Sequence, residues 1–297
     1  MRFTYITILF LLLFPSHKTI AQDPTKYLSL EEKWQLDSLS KNSDPQLRVV
    51  PYRPIYILLS NYTSDVNKSP TSSNPNNELP LDIPYNPVEL SFQLSFKIKV
   101  LQNILGHGLG GDLWGAYTQS SRWQIYNNEL SRPFRETDYQ PELFILFATP
   151  YRLGNFKGVF AGMGVAHESN GRADPLSRSW NRLVFQLGWE VNDLQIVFNP
   201  WIRFPEDSEK DNNPGIENYM GRGELILTYA KGKNEFQLAA RHSFRGGDNS
   251  HASARLDYSY RVYKNLKLHA QIFSGYGESL IDYNHNQTTF GLGLSLY

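Results

Sequence analysis

The chain has 297 residues, with 29 Lys and Arg against 29 Asp and Glu, so its formal net charge is zero and no overall basic charge favours nucleic-acid binding. It contains no cysteine, which excludes disulfides, cysteine-ligated zinc, iron–sulfur clusters and thiol nucleophiles. Hydrophobic residues make up 40% and aromatic residues 14% of the chain, a mixture more typical of half-buried strands than of helices.

The N-terminus resembles an export signal. Arg2 precedes an apolar run at residues 5–14, and Thr19, Ile20 and Ala21 provide small residues for cleavage. A transmembrane anchor is the alternative, but this run is shorter than the roughly 20 residues that a spanning helix needs. We therefore predict a signal peptide at residues 1–21. Residues 22–50, which include a helix-like stretch at 30–39, are predicted to be a periplasmic pre-barrel segment.

Alternation of apolar and polar residues predicts strands along the rest of the chain. The clearest case is residues 88–100, where seven apolar side chains from Val88 to Val100 alternate with polar ones. The same pattern recurs in eleven other segments. The twelve predicted strands lie near residues 52–63, 88–100, 109–126, 139–150, 158–169, 179–190, 194–204, 217–230, 234–243, 252–263, 265–275 and 288–297.

This pattern favours an all-β fold, a 12-stranded antiparallel outer-membrane β-barrel spanning residues 51–297. An even strand number, with short turns alternating with longer loops, is typical of such barrels. A soluble β-sandwich is the alternative, since it also alternates apolar and polar residues. It fits less well because several strands exceed the usual 3 to 10 residues. Charged residues such as Arg255, Asp257 and Arg261 also share one face, as in a polar barrel interior.

Three polar residues interrupt the apolar faces of the fifth and sixth strands. On the fifth strand, the lipid-facing parity of Val159 to Val165 continues to His167 and Ser169. On the sixth strand, the same parity reaches Asn181. Polar side chains facing lipid are costly and need a compensating role. Histidine is a common general base, a serine hydroxyl needs such a base, and an amide can orient the imidazole without adding charge. The alternative is that these are interfacial polar residues at a strand end.

The segment around these residues resembles the outer membrane phospholipase A family. The resemblance is carried by residues 167–182, whose sequence is HESNGRADPLSRSWNR. Further similar motifs are YTQ at 117–119, SRPFRETDYQP at 131–141, YMG at 219–221 and FSGYGESLIDYN at 273–284. The resemblance extends from about residue 50 to the end of the chain.

The resemblance implies a twelve-stranded barrel and a catalytic triad in which Ser169 is the nucleophile, His167 the base and Asn181 the orienting residue. It also implies a homodimer with about one Ca²⁺ per monomer at the subunit interface. The calcium ligands at matching positions are the Arg172 carbonyl and Ser177 on one chain and the Ser131 carbonyl of the partner. With the metal, the Gly171 backbone N–H would stabilise the oxyanion.

Two further positions carry expectations from the resemblance. Asp174 matches a position near a second, weaker calcium site. Gln119, which faces lipid on the third strand, matches a dimer-interface residue; headgroup hydrogen bonding is the alternative. The chain differs from the family pattern at Arg132, whose positive charge lies beside Ser131, and in an expanded loop at residues 207–213.

The sequence thus predicts a calcium-dependent phospholipase of the Gram-negative outer membrane, with its active site toward the outer leaflet. It would hydrolyse sn-1 and sn-2 acyl esters of phospholipids and lysophospholipids and be activated by reversible dimerisation. The alternative is a passive pore or structural barrel with a vestigial site.

Overall fold

The computed structural model describes residues 27–36, 47–79, 82–106 and 110–296. These residues form a single sheet of antiparallel strands. The strands are β1 Val49–Pro51, β2 Ile55–Thr63, β3 Val88–Leu101, β4 Asp112–Trp123, β5 Phe134–Ala148, β6 Arg152–Leu153, β7 Phe156–Ser169, β8 Ser179–Val191, β9 Leu194–Arg203, β10 Gly223–Lys231, β11 Asn234–His242, β12 Ala252–Tyr263, β13 Leu266–Tyr276 and β14 Asn286–Leu296. Within the described ranges, two short α-helices have defined bounds, α1 Leu30–Lys33 and α2 Ile216–Tyr219, and two single 3-10 turns lie at Pro75–Asn77 and Gly247–Asn249.

The sheet closes into a barrel because its last strand pairs with its first long strand, with Leu296 opposite Ile55 and Thr289 opposite Thr63. The short strand β1 pairs with β3 beside β2, and β6 pairs with β7 as an extension of β5. The barrel wall therefore consists of twelve strands. The predicted fold class is confirmed.

The strand boundaries agree with the predicted ones to within three residues except at two places. The fourth barrel strand begins at Phe134 rather than near residue 139. The eighth begins at Gly223 rather than near 217, because α2 occupies the preceding residues. The α2 side chain Ile216 is fully buried against Trp180 and Leu280, so tertiary packing overrides the local strand pattern.

The two faces of the wall differ as the alternation predicts. Outward side chains such as Leu94, Met163 and Leu292 are exposed and apolar. Inward positions carry charge, and Lys97 and Lys99 are almost completely buried inside the barrel. One parity prediction was wrong: Val159 is only 2% exposed rather than lipid-facing. A register shift between Gly158 and Phe160 reverses the alternation there.

The end of the barrel nearest the N-terminus is filled by residues 27–36. A capping box formed by Ser29 and Glu32 begins α1. Trp34, which follows α1, packs edge-on against Trp114, with ring centroids 5.5 Å apart, and Lys97 Nζ lies 2.9 Å from the Trp34 ring centroid. Glu31 also forms a 2.7 Å ion pair with Lys157 on the wall. We call residues 27–36 the N-terminal plug.

The opposite end is closed by residues 277–285, which connect β13 to β14. Leu280, Ile281 and Asp282 in this loop are almost completely buried. Asp282 Oδ2 lies 2.8 Å from Arg135 Nη1, and Arg135 in turn binds Glu89 at 2.9 Å. An ionic network therefore ties the loop to the inner wall of the barrel.

The predicted signal peptide at 1–21 lies outside the described residues. Of the helix-like stretch predicted at 30–39, the helix α1 covers only Leu30–Lys33, and residues 37–39 lie outside the described residues. The separate periplasmic segment at 22–50 stays a prediction; its described parts are the plug and the residues around β1. No helix in the described part of the chain is both long enough and apolar enough to cross a membrane.

Candidate active site

His167 and Asn181 lie directly opposite each other on the adjacent antiparallel strands β7 and β8. His167 Nδ1 and Asn181 Oδ1 are 2.8 Å apart. Because an amide oxygen can only accept, Nδ1–H is the donor and the ring tautomer is fixed. Nε2 is then left as the basic nitrogen of the neutral imidazole. His167 is exposed on the outer face of the barrel, where the strand parity places it.

Ser169 lies on the same outer face of β7, two residues beyond His167. Side chains two apart on one strand face are about 7 Å apart at Cβ, a gap that a histidine and a serine can close by rotating. The Ser169 hydroxyl makes no hydrogen bond to any described residue. It is therefore free to turn toward His167 Nε2, as a nucleophile beside its base requires.

The loop that follows β7, residues 170–178, brings a backbone donor close to Ser169. Gly171 has a φ of +61°, a conformation that glycine adopts without strain. A Cβ at this position would lie 3.3 Å from the Tyr139 ring, so the loop also packs closely on the wall. The Gly171 N–H donates to no described residue. It is available to a developing oxyanion.

The expected calcium ligands offer oxygen atoms of the kind that Ca²⁺ prefers. Among the described residues, none donates a hydrogen bond to the carbonyl of Arg172 or of Ser131. Ser177 Oγ accepts one bond, from Asn212 Nδ2 at 3.0 Å, and keeps a second lone pair. This set of neutral oxygens is chemically suited to calcium.

The turn that carries Ser131 has an unusual backbone. Ser131 and Arg132 have φ values of +56° and +57°, which non-glycine residues rarely adopt. Asn127 holds this turn: its carbonyl accepts from Arg132 N at 2.9 Å, and its Oδ1 accepts from Leu130 N at 3.2 Å. The Arg132 carbonyl accepts from Trp123 Nε1 at 2.9 Å. The side chains of Ser131 and Arg132 are both exposed.

Asp174 and Gln119 each have a partner within the same chain. Asp174 Oδ1 accepts from Asn77 Nδ2 at 2.8 Å, so this carboxylate joins the 170–178 loop to the loop after β2. The Gln119 amide accepts from Tyr117 Oη at 3.1 Å and donates to Ser121 Oγ at 3.3 Å. The Gln119 amide therefore already has hydrogen-bond partners in its own chain, and its role at a dimer interface stays a prediction.

The structure adds two residues that sequence reasoning missed. Asn212, which binds Ser177, belongs to the expanded loop after β9. Glu206 lies in the same loop, near His167. Partial burial raises the pKa of Glu206, the Arg203 guanidinium opposes that rise, and the Asp211 carboxylate adds to it. The loop reaches the site because Phe204 N donates to the Asn181 carbonyl at 2.9 Å. Only a tertiary contact reveals these neighbours.

The sequence profile of the phospholipase A1 family matches residues 30–296. The chain belongs to the phospholipase A1 family. This family member is 38% identical to phospholipase A1 of Salmonella typhimurium over 260 residues, which span 87% of this chain and 85% of that protein. It is also 38% identical to phospholipase A1 of Escherichia coli K12 over 261 residues, with the same shares covered.

Solved structures of the phospholipase A1 family resemble this one. Outer membrane phospholipase A from Escherichia coli superposes with a TM-score of 0.76 at 37% identity, covering 86% of this chain and 95% of that one. A calcium-bound dimer of the Salmonella typhi outer membrane phospholipase gives 0.74 at 37% identity, covering 84% and 92%. A further E. coli structure, 36% identical with a TM-score of 0.76, covers the same shares as the first and is of an asparagine-to-alanine active-site mutant.

Proposed function

We propose that this chain is a calcium-dependent outer-membrane phospholipase that hydrolyses sn-1 and sn-2 acyl esters of phospholipids and lysophospholipids. Family membership and the similar solved structures support the class of reaction. The single observation that carries the proposal is the 2.8 Å hydrogen bond between His167 and Asn181 on the outer face, with Ser169 two residues away on the same face. A lipid in the bilayer would meet these groups directly.

In the proposed acylation step, Ser169 Oγ attacks the ester carbonyl carbon while His167 Nε2 takes the hydroxyl proton. The imidazolium that forms is stabilised by Asn181 Oδ1, which accepts the Nδ1–H bond. The carbonyl oxygen becomes an oxyanion within reach of the Gly171 N–H. When the intermediate collapses, the ester C–O bond breaks and His167 returns the proton to the departing lysophospholipid oxygen.

In deacylation, the same groups act on water. His167 takes a proton from water, the hydroxide equivalent attacks the acyl carbon, and Ser169 Oγ leaves with that proton from His167. A fatty acid is released and the site is restored. A neutral orienting residue suits this location, because a carboxylate at residue 181 would place charge on the hydrocarbon-facing side of the barrel.

The proposed metal site is shared between two protomers, and the calcium-bound dimer of the similar Salmonella typhi enzyme supports this arrangement. The Arg172 carbonyl and Ser177 Oγ of one chain and the Ser131 carbonyl of the other would coordinate the same calcium ion. The proposed stoichiometry is about one calcium per monomer. Bound calcium would supply positive charge that stabilises the oxyanion. Asp174, now paired with Asn77, is the proposed ligand of a second, weaker site.

Regulation by dimerisation follows from this split site, because each monomer holds only part of the ligand set. An intact bilayer that keeps monomers apart would leave the enzyme silent, and Gln119 would contribute to the dimer interface. The site lies at the barrel end with the longer connections, such as residues 64–87 and 204–222. In outer-membrane barrels the longer loops are extracellular, so the site faces the outer leaflet.

The decisive experiment is fatty-acid release from phospholipid in mixed micelles by purified protein. We expect release with calcium, none with EDTA, and a large loss in Ser169→Ala. Ser274→Ala is the matched control, since Ser274 is an outward serine that bonds Thr288 across strands β13 and β14 at 2.9 Å. No release from the folded, calcium-saturated wild-type barrel would overturn the proposal.

A further inference from the structure

Asn170, the residue between Ser169 and Gly171, is 4% exposed, and both the oxygen and the nitrogen of its side-chain amide form hydrogen bonds. Its Oδ1 accepts from Arg178 N at 3.0 Å and from Arg172 N at 3.3 Å. Its Nδ2 donates to the Leu176 carbonyl and to Glu136 Oε1, both at 2.8 Å. Its backbone N–H donates to the Arg178 carbonyl at 3.0 Å. Side chain and backbone together make five hydrogen bonds.

Four of these five bonds stay within residues 170–178. They connect the first residue of the loop to its middle and to its end, so they fix the path of the backbone between Ser169 and Ser179. The groups placed by that path are the Gly171 N–H, the Arg172 carbonyl and Ser177. Asn170 thus bonds directly to the residue that follows Gly171.

The fifth bond anchors the loop to the barrel wall. Glu136 belongs to β5, is 1% exposed, and its Oε2 also lies 3.6 Å from Arg172 Nη1. The amide of Asn170 donates twice and accepts twice, whereas an ionised aspartate at this position could only accept. Arg178 supports the same loop differently, because its guanidinium binds the carbonyls of Pro175 and Ser177 near the far end.

We propose that Asn170 is a positioning residue that holds the oxyanion donor Gly171 and the calcium-ligand carbonyl of Arg172 in register with Ser169. It touches neither substrate nor metal, and acts through the loop backbone. This inference rests on the proposed hydrolase function. It adds to that function a single buried amide on which both the oxyanion and the metal geometry depend.

Asn170→Ala and Asn170→Asp test the proposal in purified, detergent-folded protein. We expect kcat at saturating calcium to fall about ten- to hundredfold with KM within threefold of wild type, because small displacements of catalytic groups have effects of this size. Calcium affinity, measured by isothermal titration calorimetry without substrate, should weaken roughly tenfold, as when outer contacts of a metal site are removed. Asn199→Ala, at another buried asparagine on the inner wall, should change neither quantity.

A double variant separates positioning from general stability. Asn170→Asp combined with Glu136→Gln reverses the direction of one hydrogen bond, since the glutamine amide can donate to the aspartate. It should recover part of kcat and of calcium affinity relative to Asn170→Asp alone. The inference is overturned if the Ala and Asp variants, corrected for folded fraction, keep kcat and calcium affinity within twofold of wild type. An inactive wild type would overturn the proposed function instead.

Discussion

Replacement of Asn181 by alanine removes the group that orients His167. The Asn181 side chain offers one acceptor to Nδ1–H, at 2.8 Å. Without it, the imidazole can rotate and can take the tautomer that leaves Nε2 protonated and unable to act as a base. The position lies on the outer wall of β8, so its truncation leaves the inner packing of the barrel intact.

The expected magnitude follows from the strength of that one bond. In the transition state the imidazole is positively charged, and a hydrogen bond to a charged group contributes about 1.5–3 kcal/mol. Since about 1.4 kcal/mol corresponds to tenfold in rate, kcat should fall roughly 10- to 150-fold. KM should change little, because the bond strengthens only as charge develops. Asn181→Asp keeps an acceptor and should retain more activity than Asn181→Ala.

The assay is steady-state hydrolysis of phospholipid in mixed micelles at saturating calcium, with the folded fraction checked by heat-modified electrophoretic mobility. Thr288→Ala is the matched control, because it also removes an outward cross-strand hydrogen bond, to Ser274 at 2.9 Å. The reasoning is refuted if Asn181→Ala keeps kcat within threefold of wild type. It is equally refuted if Asn181→Asp is as slow as Asn181→Ala.

Four further predictions concern the metal, the dimer, the barrel interior and pH. Ser177→Ala removes one expected calcium ligand and should raise the calcium concentration for half-maximal activity about tenfold, with activity recovered at high calcium; an unchanged calcium titration would contradict it. Gln119→Ala should weaken the detergent-solubilised dimer about tenfold, measured by sedimentation, if the amide exchanges its intrachain partners for a twin across the interface. The wild-type barrel should show no steady conductance in planar bilayers, and a steady wild-type current would contradict this. Trp34→Ala removes the main aromatic contact of the N-terminal plug. This variant should lose about 3–5 kcal/mol of folding free energy and show transient channel openings. Burial raises the pKa of Glu206 above its ordinary 4.5, so the folded state disfavours the ionised form. The stability of the protein should therefore fall as pH rises from 4.5 through the raised pKa. Glu206→Gln should flatten this pH dependence in thermal unfolding measured from about pH 4 to 8.

The N-terminal plug and the loop at residues 277–285 show where sequence reasoning stopped. Both carry apolar residues, yet neither pattern says that they enter the barrel. Trp34 is buried because Lys97 and the aromatic rings around it come from strands far along the chain. The capping box of Ser29 and Glu32 indicates where α1 begins, but it does not indicate that this helix lies inside the barrel.

The candidate site divides in the same way. The positions of His167, Ser169 and Asn181 on one face could be predicted because side chains alternate along β7 beyond the shift at Gly158 and Phe160, and because β7 and β8 pair in register there. The hydrogen bonds that hold the loops around these three residues could not be predicted from the sequence. Asn170 bonds Glu136, Asp174 bonds Asn77 and Ser177 bonds Asn212, and each pair is separated by more than thirty residues.

The sequence by itself determined the twelve-stranded barrel, the outward face and the three residues proposed to act as a triad. These follow from local periodicity, since a period of two decides which side chains face lipid. Only the tertiary structure decided which loops fold into the barrel ends and how residues 170–178 are held beside Ser169. Those outcomes depend on hydrogen bonds and ion pairs between segments that lie far apart in the sequence, which a local residue pattern does not specify.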